Sequence, residues 1–219
     1  MTQSPRHRRA LLETLETRRL LAASVDGQNV LQVSATEAAD TIQITVVAGS
    51  ATVIINGGSG GEFQSATLAG YNVQGGGGND TILLIGALVG AYVNGGVGND
   101  KIAGSDGNDT LVGGAGKDQL DGRVGNDKLS GNGGNDKLLG NGGGDRLYGG
   151  AGTDYLDGGS SADKLYGEAG IDTLLGQSGN DNLYAYDQAV DELYGGSGTD
   201  SAICDGIDVR GSLEQVAVI

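Results

Sequence analysis

Gly131-Asn132-Gly133-Gly134-Asn135-Asp136-Lys137-Leu138-Leu139, followed at once by Gly140-Asn141-Gly142-Gly143-Gly144-Asp145-Arg146-Leu147-Tyr148, decides how this chain folds. Both blocks have nine residues, with Gly first and fourth, Asp sixth and an aliphatic residue eighth. Working outward, the same phase runs without insertion through ten blocks, from Gly95 to Tyr184. Gly opens every block, Asp holds every sixth place, and the fourth place is Gly in all but one, where Ser161 stands. The eighth place is Ile102 and then Leu nine times. A fixed short period of this kind is the mark of a solenoid, in which each block is one structural unit that buries its apolar side only by stacking on its neighbours.

The pattern predicts six residues of Gly-rich turn and three of strand, so that two blocks make one coil of a flattened roll. In the strand, residue eight points inward and residues seven and nine outward. Alternate blocks then fall on opposite sides, and strands 18 residues apart pair in parallel about 4.8 Å from one another. The Gly places allow backbone conformations closed to other residues, and Asn at the fifth place (Asn99, Asn108, Asn126, Asn135, Asn180) is read as tolerating left-handed geometry. The expected fold is all-β, a right-handed parallel β-roll with β-rich end caps.

This phase puts Asp100, Asp118, Asp136, Asp154 and Asp172 along one edge of the roll and Asp109, Asp127, Asp145, Asp163 and Asp181 along the other. Weaker blocks on either side add Asp80 and Asp200. Carboxylates one strand spacing apart repel by about 3 kcal/mol at an effective dielectric of 20. A hard cation taking oxygens from carboxylates and Gly-rich backbone reverses the sign, and calcium suits such a cage better than magnesium. These twelve Asp are the candidate metal ligands, for about eight calcium ions or more. Leu84 to Asn94 is two residues too long and lacks the Asp, and Ala185 to Tyr194 is one too long, so binding is expected to lapse or weaken at both.

Composition agrees. Gly is 44 of 219 residues, too many for a helical or α/β globule. The formal charge is −15, from 28 acidic and 13 basic residues. Five Arg lie in the first nineteen residues, so from Leu20 the balance is 26 acids against 8 bases, or −18. Such a body repels nucleic acid and anionic membranes and attracts metal cations. One Cys and one His, Cys204 and His7, exclude an internal disulfide and make Cys/His zinc sites and nucleophilic catalysis improbable. The chain is read as no enzyme. It has no apolar run long enough to span a membrane as a helix.

The reading divides the chain into a targeting segment at 1–23, a β-rich cap at 24–74, the repeat array at 75–203 and a closing cap at 204–219. Residues 1–23 combine Arg6, His7, Arg8 and Arg9 with a Leu-rich stretch ending in Ala22-Ala23-Ser24, which suggests export. Tyr148, Tyr166 and Tyr184, all ninth in their blocks, are expected to stack on the outer face. Two readings follow for that row: a brace for the roll, or an adhesive surface for cell-surface glycan or protein. Cys204 is read as a buried cap residue.

By the Gly-Gly-x-Gly-x-Asp-x-aliphatic-x blocks the chain resembles the RTX, or haemolysin-type, calcium-binding repeat family over roughly residues 75–203. Leu15-Glu16-Thr17-Arg18-Arg19-Leu20-Leu21 resembles the LEPR-XLL type of N-terminal segment of bacterial surface and secreted proteins, with Thr17 where Pro is usual. The resemblance implies a secreted roll, extracellular or at the cell surface, that folds on meeting calcium after export and has a structural or adhesive role. The alternative it leaves open is an accessory module that binds surface polysaccharide.

Overall fold

The computed structural model describes residues 22–47, 50–56, 58–64, 68–86 and 90–218. Most of the 1–23 segment, including the LEPR-XLL-like stretch, lies outside the described residues. Strands alternate between two facing sheets of eleven strands each. The first sheet contains β1 (Ala22–Val25), β2 (Val30–Ser34), β6 (Gly70–Gly77), β8 (Ala91–Val97), β10 (Thr110–Ala115), β12 (Lys128–Gly133), β14 (Arg146–Ala151), β16 (Lys164–Ala169), β18 (Asn182–Ala185), β20 (Ser201–Cys204) and β22 (Gln215–Val218), in that spatial order. The second runs from β5 (Gly58–Gln64) through β4 (Ser50–Ile55), β3 (Thr41–Val47), β7 (Thr81–Ile85), β9 (Lys101–Ala103), β11 (Gln119–Asp121), β13 (Lys137–Gly142), β15 (Tyr155–Ser160), β17 (Thr173–Ser178) and β19 (Glu192–Ser197) to β21 (Val209–Gly211). The result is a parallel β-solenoid of about 8 turns, and no helix is present among the described residues.

The register is the one that the nine-residue period requires. In the first sheet Leu111 pairs with Leu129, Leu147, Leu165 and Leu183 in succession, and in the second Ile102 pairs with Leu120, Leu138, Leu156 and Leu174. These side chains meet between the sheets at 0–2% exposure, so the interior is two aliphatic ladders in contact. Each fully buried Leu contributes about 2 kcal/mol of apolar transfer free energy. At the N-terminal end the pairing turns antiparallel, β1 on β2 and β3 on β4 on β5, and the stack stops there. The same apolar core continues into that end through Leu31, Val33, Ile42, Ile44 and Val53, and at the other end through Cys204, which is buried.

The turns correct one expectation. Left-handed backbone occurs at the second and fourth places of a block, not at the fifth. The fourth-place Gly152 has φ +141°, and a Cβ there would run into the Gly134 carbonyl of the preceding turn. At the second place Arg123, Asn132, Asn141, Glu168 and Gln177 take φ between 68° and 74°. The fifth-place Asn does something else: its side-chain oxygen accepts the N–H of the fifth residue one turn on. The bonds run from Asn99 to Lys117, Asn108 to Asn126, Asn126 to Gly144, Asn135 to Thr153 and Asn180 to Thr199, at 2.7–3.1 Å. Asn is placed there for its amide, which bridges successive turns.

Leu138→Ala leaves a cavity in a rigid two-ladder core, and we expect it to cost about 2–5 kcal/mol. Lys137→Ala, exposed on the same strand, is expected to stay within about 0.5 kcal/mol. Urea denaturation of the folded variants checks this, and equal losses would contradict the inward placement of the eighth residue.

Candidate metal centre

The sixth-place Asp sits where the turn enters the strand, with its side chain turned back under the turn and its main chain in the ladder. Two columns result. One consists of Asp40, Asp80, Asp100, Asp118, Asp136, Asp154, Asp172, Asp191 and Asp208, each after the first accepting through Oδ1 the backbone N–H of the member before it, at 2.7–3.1 Å. The other begins with the Ala91 N–H on Asp109 and continues through Asp127, Asp145, Asp163, Asp181 and Asp200 at 2.7–2.9 Å, ending where Glu214 accepts the Asp200 N–H at 2.6 Å. All twelve Asp singled out from sequence lie in these columns, and all are buried.

Each carboxylate therefore reaches its neighbour through the backbone. The second oxygen is left over. Oδ2 of Asp80, Asp100, Asp118, Asp127, Asp136, Asp145, Asp154, Asp163, Asp172, Asp181 and Asp200 is buried and has no hydrogen-bond partner. Removing an ionised oxygen from water without a partner is among the costlier things a fold can do. A buried orphan repeated at one register position calls for a proton on the carboxyl or a cation beside it.

The space next to each orphan is set by the Gly that opens the block. A Cβ built on Gly149 would lie 2.6 Å from Asp154 Oδ2 and 2.7 Å from the Gly167 carbonyl oxygen of the next turn, and one on Gly176 would lie 2.5 Å from both Asp181 Oδ2 and the Gly195 carbonyl oxygen. Gly here is required by that close approach and not by backbone angle. The cradle offers carboxylate and carbonyl oxygen only, which fits a hard cation such as calcium. No group of three or more His, Cys, Asp or Glu side chains converges among the described residues, so a side-chain cage of the zinc type is not what this arrangement provides.

Burial, opposed by the backbone hydrogen bond and reinforced in several members by the neighbouring carboxylates, raises Asp80, Asp100, Asp109, Asp118, Asp127, Asp136, Asp145, Asp154, Asp163, Asp172, Asp181 and Asp191. Asp118, Asp127, Asp163 and Asp172 are pushed up to about 7, and Asp80, Asp145, Asp154, Asp181 and Asp191 to about 6. Asp40 moves the other way. Burial acts against its charged form, but hydrogen bonds from Asn56 and from the Thr36 N–H and hydroxyl outweigh that and hold it low.

Asp109 departs from the other array members. Ser105 stands second in its block, takes no left-handed backbone, and donates its N–H (2.6 Å) and hydroxyl (3.0 Å) to Asp109 Oδ2. The orphan is satisfied from within the chain at that point. Sequence reasoning missed Asp40, Asp191, Asp208 and Glu214. Asp191 lies 19 residues after Asp172 and Asp208 17 after Asp191, so a search at a strict 18 passes over both, and the column continues where a lapse was expected. Leu84 to Asn94 does lose its Asp, since Ala91 occupies the place.

A family model for the RTX calcium-binding nonapeptide repeat matches residues 72–83, 94–129, 130–165, 157–189 and 166–202, more than half of the chain. A model described as Planctomycete extracellular matches residues 6–25. Comparison with curated proteins and with solved structures finds no match.

The raised acids set a pH dependence with a definite sign. Between about pH 4, the unfolded range, and about pH 7, the folded range, the folded state holds more protons, so without metal its stability falls as pH rises through that window. In chelator, circular dichroism is expected to show more β-structure at the acid end than at the neutral end. The opposite order would mean that the columns carry their charge without strain.

Proposed function

The chain belongs to the RTX calcium-binding nonapeptide repeat family, and on that premise we propose that it is an extracellular roll whose fold is completed by calcium ions seated along both Asp columns. The observation that carries this reading is the row of eleven orphaned Oδ2 atoms, each in a cradle that only Gly leaves open and eight of them with a backbone carbonyl oxygen against the same cradle. The residues that would hold the ions are Asp80, Asp100, Asp118, Asp136, Asp154 and Asp172 in one column and Asp127, Asp145, Asp163, Asp181 and Asp200 in the other. Asp191, in register with them, extends the hydrogen-bonded column but is not counted among the ligands, since its Oδ2 is not among the orphans and Ala185 and Tyr186 stand where Gly opens the other blocks. Asp109, already satisfied by Ser105, would hold an ion weakly or not at all. Calcium would supply the positive charge that makes ionised carboxylates tolerable in the interior of a turn.

Folding and binding are then one event. Without calcium the columns must either stay protonated or bury charge, and at neutral pH the array is expected to lose its turns. Outside the cell calcium is abundant, so such a chain would be unfolded before export and rolled after it. Neither matched model, a calcium-binding repeat and an extracellular segment, describes an enzyme, and a structural role fits the even ladder of turns.

A calcium titration followed by far-UV circular dichroism is expected to give a cooperative coil-to-β transition near neutral pH, and magnesium none. Full β-structure in chelator at that pH, unmoved by calcium, would falsify the proposal. Asp154→Asn keeps an oxygen for the Asp136 N–H but removes the charge at the orphan, and Gly149→Ala fills the same cradle while leaving the Asp in place. Both are expected to lower the number of bound calcium ions in equilibrium dialysis and move the transition to higher calcium. Ser105→Gly, which removes the hydroxyl bond to Asp109 and keeps the N–H, is expected not to lower the number.

A further inference from the structure

The two outer faces of the roll are not alike in charge. On β8, β10, β12, β14, β16 and β18 the charged residues are Lys128, Arg146, Lys164 and Glu168, three cations against one acid. The opposite sheet, from β7 to β19, carries Lys101 and Lys137 against Asp121, Asp157 and Glu192. In a chain of net charge −15, a cationic face is a local exception. Its cations are also ordered: Lys128, Arg146 and Lys164 are directly paired across three neighbouring strands, exposed, and in no ion pair among the described residues.

Two residues along each strand, on the same side, lies the Tyr row. Tyr148 and Tyr166 stack with centroids 4.8 Å apart and planes 4° from parallel, and Tyr166 and Tyr184 at 4.5 Å and 5°. The rings thus cover one another's faces. What the row turns outward is ring edges, the positive part of the aromatic quadrupole, and phenolic hydroxyls. A sugar or a base has no free ring face to lie on within the row. The stack ends at Tyr148, whose ring has the Lys128 ammonium 5.4 Å from its centroid. Beside it is a hollow of about 350 Å³ whose lining includes Tyr92, Thr110, Lys128, Ser130 and Tyr148, with Glu168 as its one acid, where small ninth-place side chains interrupt the row.

We propose that this face binds an anionic polysaccharide, carboxylated or sulfated, laid along the roll axis across β12, β14 and β16 with one unit seated in the hollow beside Tyr148. Cations, hydroxyls and ring edges all favour anionic groups, and they recur at the strand spacing of about 4.8 Å, which suits a linear polymer of repeating charge. Each exposed contact alone is weak, so a single small anion gains little, while a chain that engages every strand adds them. Nucleic acid is the poorer fit, because single-stranded binders need open aromatic faces and these are closed. The proposal rests on the calcium-loaded roll being the folded state, and specifies the adhesive role left open above.

The test measures binding of the full-length chain, in saturating calcium, to immobilised dextran, carboxymethyl-dextran and dextran sulfate, with poly(dT) as a further surface. Binding is expected to one or both charged dextrans, weakening with salt, and not to dextran; which of the two binds better identifies the anionic group. Lys128→Gln, Arg146→Gln and Lys164→Gln together should weaken it at least tenfold. The control triple Lys101→Gln, Lys117→Gln and Lys137→Gln removes the same charge elsewhere and should change it less than twofold. Equal losses in the two triples, no binding of the native chain, or preference for poly(dT) would each overturn the proposal. Circular dichroism of the same samples reports the fold separately, so a failure of the calcium reading is seen as missing β-structure and a failure of this one as a folded roll that does not bind.

Discussion

Every turn of the roll depends on how one Asp divides its two oxygens. Oδ1 takes the backbone N–H of the Asp one turn before, which locks the turns in register at both edges. Oδ2 is thereby turned into the space under its own turn, where no donor of the chain reaches it. A hydrogen bond that aligns the coils thus creates the electrostatic debt that a cation must settle. The opening Gly follows from the same constraint, since any Cβ at that place would occupy the cradle. So does the length of the turn, because the Asp must reach back exactly one coil.

The core and the columns act in different ways on this frame. The Leu ladders supply a non-directional attraction that any parallel register of the right phase would satisfy. The Asp and Asn ladders are directional, and they bond turn to turn in opposite senses, Asp to the turn before and Asn to the turn after. Together they leave a single register. Ser105 shows how local the balance is: one hydroxyl and a change of backbone conformation satisfy Asp109 without metal, while the members on either side in the stack keep their orphans or, like Ala91, lack the carboxylate.

Uneven distribution of charge gives the roll two kinds of surface. Acidic residues are concentrated in the buried columns, where cations would neutralise them. The outer faces are left with few charges, and small numbers of Lys and Arg set their sign. That is how a strongly acidic chain presents Lys128, Arg146 and Lys164 as an ordered row.

The nine-residue period by itself determined the roll, the inward Leu ladder, the two Asp columns and the stacking of Tyr148, Tyr166 and Tyr184. Each follows from period alone, because a repeat that must pair in parallel places equal positions in line. Tertiary structure decided the rest. Asp191 and Asp208 enter the column although their spacing is 19 and 17, since a bulged loop absorbs the difference and only space reveals it. Asn at the fifth place proved to be a bridge between turns and not a left-handed residue, because its partner is 18 residues away in sequence and adjacent only in the coil. The division of labour between Oδ1 and Oδ2, from which the candidate metal centre arises, is likewise a fact of stacked turns: a carboxylate's two oxygens are equivalent until a neighbouring backbone claims one of them.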